Sequence, residues 1–218
     1  MPLAIFDLDN TLIAGDSDYS WGEFLVAQGK VDSDYYRVMN DRFFADYEAG
    51  RLDINAYLQF SLEPLSKITM AELSQLHEKF MAEVISPMML DKAQGLLEKH
   101  RRAGDQLLVI TSTNRFIVEP ICKALGIDRV IATELEVVNG RYTGKVSGTP
   151  SYREGKVERL NNWLTANRQD IDGSYFYSDS INDLPLLQKV DYPVAVDPDP
   201  QLRAQAAARG WQIISLRD

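Results

Sequence analysis

Cysteine and histidine are scarce in this 218-residue chain, which has one Cys and two His. A single thiol, Cys122, excludes an internal disulfide and suits a reducing compartment. It lies in an apolar helical run, Phe116 to Leu125, so it is read as a buried structural thiol and not as a nucleophile. His77 and His100 both fall on helical stretches, away from any strand end. They are read as surface or packing residues, which leaves a Ser-His-Asp arrangement without its base. No apolar run approaches the ~20 residues needed to cross a bilayer. The first residues lack the basic-then-apolar layout of a signal peptide, because a strand pattern starts almost at once. Basic charge is also in deficit. The 23 Lys and Arg stand against 32 Asp and Glu, a net charge of −9 that argues against nucleic acid or an anionic membrane as partner. A cytoplasmic protein is expected.

What is present is a chain able to bury a core: 45% of its residues are hydrophobic, enough for one large domain or a core domain with an insert. Leu3–Phe6 is a short apolar run that reads as a fully buried strand of a parallel sheet. It ends in Asp7-Leu8-Asp9-Asn10-Thr11, two acids spaced i, i+2. Ligands of open α/β sheets sit just beyond the carboxyl ends of strands. Taken alone, these residues suit a polar turn and a binding site equally.

Residues 15–85 carry helix signals only. Asp16 and Ser17 cap a helix to about Gln28, closed by Gly29. The stretch 32–49 repeats Tyr36, Met39, Phe43 and Tyr47 at spacings of three to four, with Gly50 as a stop. Asp53 starts a short third helix expected to end before Pro64. Thr69-Met70-Ala71-Glu72 is a capping box for a fourth. From Ser86-Pro87, read as the N-cap and first position of a helix to about Arg102, strands and helices alternate. Strands are predicted at 106–111, 129–133, 175–178, 193–196 and 211–215, with helices at 115–125 and 204–209. Asn139-Gly140 marks a hairpin within 135–146. Ser151-Tyr152-Arg153-Glu154 reads as another capping box. The fold class predicted is α/β: a three-layer, Rossmann-like parallel sheet formed by 1–14 plus 86–218. A helical cap domain, 15–85, is inserted after the first strand, and a small β-hairpin forms a flap.

Three strand ends carry polar clusters: Asp7/Asp9, Thr111/Ser112 and Asp179/Asp183. A parallel sheet brings them to one edge. Four carboxylates there repel unless a cation neutralises them. Oxygen donors with no histidine or cysteine nearby disfavour zinc and redox metals and suit Mg²⁺. An activated carboxylate nucleophile stays open.

Asp7-Leu8-Asp9-Asn10-Thr11 after an apolar strand resembles the first motif of the haloacid dehalogenase-like phosphatases. The other three motifs match in order: a strand ending in Thr111, Lys156 early in a later helix, and Asp179 with Asp183 four residues on. The resemblance therefore covers the whole chain. It implies that Asp7 is the nucleophile, forming an aspartyl-phosphate, and that Asp9 protonates the leaving alcohol and then activates water. It also implies that Thr111, Ser112, Lys156 and Asn182 bind the phosphoryl group. Mg²⁺ would be held by Asp7, the Asp9 main-chain carbonyl and Asp179, with Asp183 reaching it through water. The second aspartate points to phosphate esters over halides.

The arrangement most resembles the phosphoserine phosphatase-like branch of that family, and in particular a bacterial group with histidinol-phosphatases among its members. Asp16 falls where that branch places an acid for a substrate amino group, although a helix cap explains it equally. The arginine that binds a serine carboxylate in that branch is replaced near Ser61. This favours a phosphorylated amino alcohol lacking a carboxylate, with histidinol phosphate as the best fit. Tyr19, Trp21, Tyr35, Tyr36, Phe43 and Phe44 are candidates to contact an imidazole. Glu23 and Arg115 are further substrate-specificity candidates. The expected partner is thus a small-molecule phosphomonoester, acted on by a monomer or homodimer. The alternatives are a phosphoserine phosphatase, a phosphoryl transferase or mutase, and a non-catalytic binding module.

Overall fold

The computed structural model describes residues 2–217. Strand β1 (Leu3–Phe6) is followed by four helices, α1 (Ser17–Ala27), α2 (Ser33–Glu48), α3 (Ile54–Lys67) and α4 (Met70–Phe80). The chain then alternates: α5 (Asp91–Ala103), β2 (Gln106–Asn114), α6 (Arg115–Ala124) and β3 (Val130–Thr133). A hairpin of β4 (Leu135–Val138) and β5 (Arg141–Val146) leads to α7 (Glu154–Asn167) and β6 (Tyr175–Ser178). The short α8 (Leu184–Leu187), β7 (Tyr192–Val196), α9 (Pro200–Arg209) and β8 (Gln212–Ile214) complete the fold.

Six strands form one parallel sheet in the order β3-β2-β1-β6-β7-β8, as the α/β reading predicts. All four residues of β1 are fully buried, and they alternate between two cores. Ala4 and Phe6 pack with Leu97 of α5 and Ile121 of α6. Leu3 and Ile5 pack with Leu160 of α7 and Leu202 of α9. Helices thus cover both faces, which is why the strand is apolar throughout instead of alternating. The chain leaves β1 toward β3 on one side and returns to β6 toward β8 on the other. The order therefore reverses between β1 and β6, the position where such sheets bind ligands.

The helical segment leaves and rejoins the sheet at one place. Ile13 bridges Met89, and the Ala14 amide donates to the Met88 carbonyl at 2.8 Å. Trp21, Phe24 and Leu25 of α1, Leu62 and Leu65 of α3 and Phe80 of α4 share the core that holds Phe6 and Val109. A smaller cluster of Val26, Tyr36, Phe43 and Phe60 joins α1, α2 and α3.

Four local expectations are corrected. Helix α3 does not stop before Pro64 but runs through it to Lys67. Burial of Leu58, Leu62 and Leu65 outweighs the one backbone donor that proline lacks. Ser86-Pro87 forms only a 3₁₀ turn after a π turn at Met81–Ile85, and α5 starts at Asp91. Ser151–Glu154 is not a capping box: Arg153 precedes α7 at φ 50° and offers no side-chain cap. The Ser151 amide instead donates to Thr133 Oγ1 at 3.1 Å. Strand β2 continues past Thr111 to Asn114, whose side chain caps α6. Both histidines prove to be buried packing residues. His77 bonds the Ile117 carbonyl at 2.9 Å, and His100 lies between Asp105 and the Tyr177 hydroxyl, at 2.7 and 2.8 Å. Cys122 is fully buried, which pushes its thiol up.

Candidate active site

The turn after β1 is set by the backbone. The Asp7 amide donates to the Tyr177 carbonyl of β6 at 2.9 Å, and the amides of Thr11, Leu12 and Ile13 all converge on the Leu8 carbonyl. Leu8 is fully buried, so the acids on either side are directed to the sheet edge.

Each acid is then held differently. Asp7 Oδ1 accepts from Lys156 Nζ at 2.9 Å, the only hydrogen bond to this carboxylate among the described residues. The same ammonium lies 2.7 and 2.8 Å from the two oxygens of Asp183, and Ser178 Oγ donates to Asp183 Oδ2 at 2.7 Å. Lys156, Asp7 and Asp183 are 1%, 3% and 2% exposed, so this is a buried ion triad. Asp9 bridges three elements: its Oδ1 accepts from the Ser17 amide at 2.7 Å and its Oδ2 from Thr113 Oγ1 at 2.9 Å. Thr111 Oγ1 stands 3.5 Å from that same Oδ2. Asp179 Oδ1 accepts from Thr11 Oγ1 at 3.1 Å.

One ammonium does not balance these acids. Burial raises Asp7 to about 7, with Lys156 opposing and Asp183 and Asp9 adding to the rise. Burial, then Asp7 and Asp183, hold Asp179 well above the usual carboxylate range. Asp9 is also raised by burial, against the hydrogen bonds from Ser17 and Thr113. Burial alone would depress Lys156, but Asp183 and Asp7 hold it above its usual value, so it stays charged. The donors at this edge are all oxygens. Among the described residues no three His, Cys, Asp or Glu side chains form a ready-made chelating group.

Above the acids lies a cavity. Asp7, Asp9, Thr111, Ser112 and Thr113 line its sheet side. Its helical side is Asp16, Asp18 and Tyr19 of the α1 start, Asn40, Phe43, Phe44 and Tyr47 of α2, and Leu52, Ile54 and Tyr57, with Tyr152 closing it. No Lys or Arg is among these lining residues. Asp16 caps α1, its Oδ1 accepting from the Tyr19 amide at 2.8 Å, and also faces the cavity.

Several residues named from the sequence lie elsewhere. Asn182 does not line the cavity. Its Nδ2 donates to the Tyr47 carbonyl at 3.0 Å, and its Oδ1 accepts from the Tyr152 hydroxyl and from Arg153, each at 3.1 Å. Arg153 also donates to the Gly50 carbonyl, so two sheet-side residues grip the end of α2. Arg115 is fixed by Glu134, at 2.7 and 2.8 Å, and lines a separate cleft. Glu23 is 3.7 Å from Arg37 and also lies off the cavity. Ser61 is buried within α3 and is likewise absent from the lining. Of the aromatic candidates, Tyr19, Phe43 and Phe44 line it, whereas Trp21 and Tyr36 are core and Tyr35 is exposed. Asp18, Asn40, Tyr47, Tyr57, Thr113 and Tyr152 are lining residues that sequence reasoning missed. The one usable signal was the α2 periodicity: Asn40, Phe43, Phe44 and Tyr47 share a face, and that face borders a cavity as well as a core.

A family model described as haloacid dehalogenase-like hydrolase matches residues 4–188. A histidinol-phosphatase of Neisseria meningitidis is 47% identical over 219 residues, covering 99% of both chains. A phosphoserine phosphatase of Mycobacterium tuberculosis is 30% identical, covering 98% of this chain and 70% of that one. Among solved structures, a Bordetella pertussis protein of unknown function superposes with a TM-score of 0.93 at 44% identity, over 99% of each chain. A substrate-bound phosphoserine phosphatase shares the fold, with a TM-score of 0.72 at 18% identity over 99% of this chain and 93% of that one.

Proposed function

Because this chain belongs to the haloacid dehalogenase-like hydrolases, we propose that it is a Mg²⁺-dependent phosphatase acting on a small-molecule phosphomonoester, with histidinol phosphate as its substrate. The observation that carries this reading is the Asp7–Lys156–Asp183 triad beneath the cavity, with Asp9 held two residues on by Ser17 and Thr113. The segment 15–85 serves as a cap domain on a core of 1–14 plus 86–218, and excludes water from the cavity.

Lys156 occupies Asp7 Oδ1 and leaves Oδ2 to attack phosphorus. The phosphorus–oxygen bond to the alcohol breaks, and an aspartyl-phosphate forms on Asp7. Asp9 gives its proton to the departing oxygen, a role suited to a carboxyl whose pKa is raised by burial. It then takes a proton from the water that attacks the phosphoryl group, releasing phosphate and restoring Asp7. Thr111 and Ser112 hydroxyls hold phosphoryl oxygens as charge shifts onto them. An excess of buried carboxylate over ammonium, with oxygen donors alone, fits Mg²⁺. Asp7, Asp179 and the Asp9 carbonyl would hold the ion, and Asp183, already engaged by Lys156 and Ser178, would reach it through water. When bound, it supplies positive charge to the phosphoryl oxygens.

The cavity wall supports the choice of substrate. Acids and aromatic rings without Lys or Arg favour an amine and a ring, and disfavour the carboxylate of phosphoserine. The names of the relatives divide between the two substrates, with the higher identity on the histidinol phosphate side. Phosphate release from histidinol phosphate, phosphoserine and p-nitrophenyl phosphate, with Mg²⁺ or with EDTA, tests the proposal. Asp7→Asn is expected to fall to background. Asp9→Asn is expected to lose about 10²–10⁴-fold in kcat. Full activity in Asp7→Asn, or in EDTA, rejects the mechanism. Equal turnover of phosphoserine and histidinol phosphate rejects the substrate.

A further inference from the structure

The helical side of the cavity holds one acid more than the reaction and an amine require. Asp16 and Asp18 both line it, one turn of chain at the start of α1. Asp18 is only partly exposed, and Tyr57, which comes across from α3, lines the same wall with its hydroxyl close enough to influence the Asp18 carboxyl. Tyr57 itself faces the cavity and packs edge-on against Phe43, another wall residue. No ammonium or guanidinium lines this wall to balance either acid. A carboxylate buried without a cation is costly to the free protein. Repulsion from Asp9, and to a lesser extent from Asp18, adds to that cost at Asp16, and burial pushes Asp18 itself up to about 7. A ligand with a single amine relieves one acid and leaves the other facing an aromatic surface.

We infer that Asp18, beside Tyr57 on the cavity wall, is a specificity residue that accepts a hydrogen bond from a second nitrogen of the leaving group, the ring N–H of an imidazole-class heterocycle. Asp16 takes the amine. The inference rests on the phosphatase reading of this cavity and deepens it: the alcohol must carry two separate nitrogen donors. One Asp18 oxygen takes the Tyr57 hydroxyl and the other the ring, which Tyr57 and Phe43 flank. Phosphomonoesters with an amine alone, or with neither group, leave the second Asp18 oxygen without a partner in the cavity and are discriminated against for that reason.

The test compares selectivity ratios in the full-length protein with Mg²⁺. kcat/KM is measured on histidinol phosphate, phosphoethanolamine and p-nitrophenyl phosphate for wild type, Asp18→Asn, Tyr57→Phe and Asp16→Asn. Asp18→Asn is expected to lower the ratio of histidinol phosphate to phosphoethanolamine by roughly 10- to 100-fold, the effect of one hydrogen bond to a charged group. Tyr57→Phe should lower it in the same direction by less. Asp16→Asn should lower both amine substrates relative to p-nitrophenyl phosphate. If Asp18→Asn and Tyr57→Phe depress all three substrates in proportion, the pair merely ties α1 to α3 and the inference fails while the phosphatase reading stands. If the ratios do not move at all, the inference fails in the same way. If wild type releases phosphate from none of the three, the phosphatase reading falls and takes the inference with it.

Discussion

The ammonium of Lys156 is the cation that touches both Asp7 and Asp183, and it is almost wholly out of water. Removing it leaves two carboxylates buried against each other with no compensation. Lys156→Met keeps the length and apolar bulk of the side chain and removes only the charge. It is expected to lower the unfolding free energy by about 3–5 kcal/mol at pH 8, the usual result of breaking a buried ion pair from one side. Urea unfolding at pH 8 and pH 5.5 checks this, and the loss should shrink at the lower pH, where the abandoned carboxyls take up protons. At this scale the sequence was informative where chemistry coincides with a strand end: Asp7, Asp9, Thr111 and Asp179 are all brought to one edge. It was silent on Asp18 and Tyr57. An acid in the first turn of a helix is favoured by the helix dipole whether or not it faces a ligand, and a tyrosine in an amphipathic helix looks like core.

The loop into α7 shows why an element can be recognised before its function can. Strands and helices from β2 to β8 follow from apolar runs and turn residues, because each local preference agrees with the sheet. The start of α7 does not, since Arg153 adopts φ 50° and the helix begins without a side-chain cap. That geometry belongs to a tertiary contact: Arg153 reaches the Gly50 carbonyl and Asn182. Close packing continues at Gly155, where a Cβ would clash with the Pro150 carbonyl oxygen. Gly155→Ala must therefore push the first turn of α7 away from that loop, and Lys156 is the next residue. The substitution is expected to destabilise the fold by about 1–3 kcal/mol and to lower kcat by up to about 10²-fold through displacement of the ammonium. Urea unfolding and p-nitrophenyl phosphate turnover read the two effects. A stable variant with unaltered kcat would mean that the loop yields and the helix does not.

Across the whole molecule, the acids concentrate on one side of the balance sheet of charge. The chain carries a net −9, and its buried edge repeats that excess in miniature. Burial lifts Asp7 and Asp18 to about 7 and Asp179 well above its usual value. A carboxyl whose folded-state pKa lies above the ~3.9 of an unfolded chain binds its proton more tightly when folded. Its contribution to stability is complete below about pH 4 and is lost as pH rises through the folded value, here about 7. The metal-free protein is therefore expected to lose thermal stability steadily between pH 5 and pH 8, the reverse of a protein whose carboxylates are paired. Under the proposed function, Mg²⁺ would be held by the deprotonated acids and would oppose this loss. Melting curves in EDTA and in millimolar Mg²⁺ across that range check both signs. The gain in Tm from Mg²⁺ should be large at pH 8 and small at pH 5.5, where protons already occupy the ligands. A Tm in EDTA that rises with pH would mean that these acids are ionised and compensated in the free protein, and would remove the electrostatic case for a divalent ion at this edge.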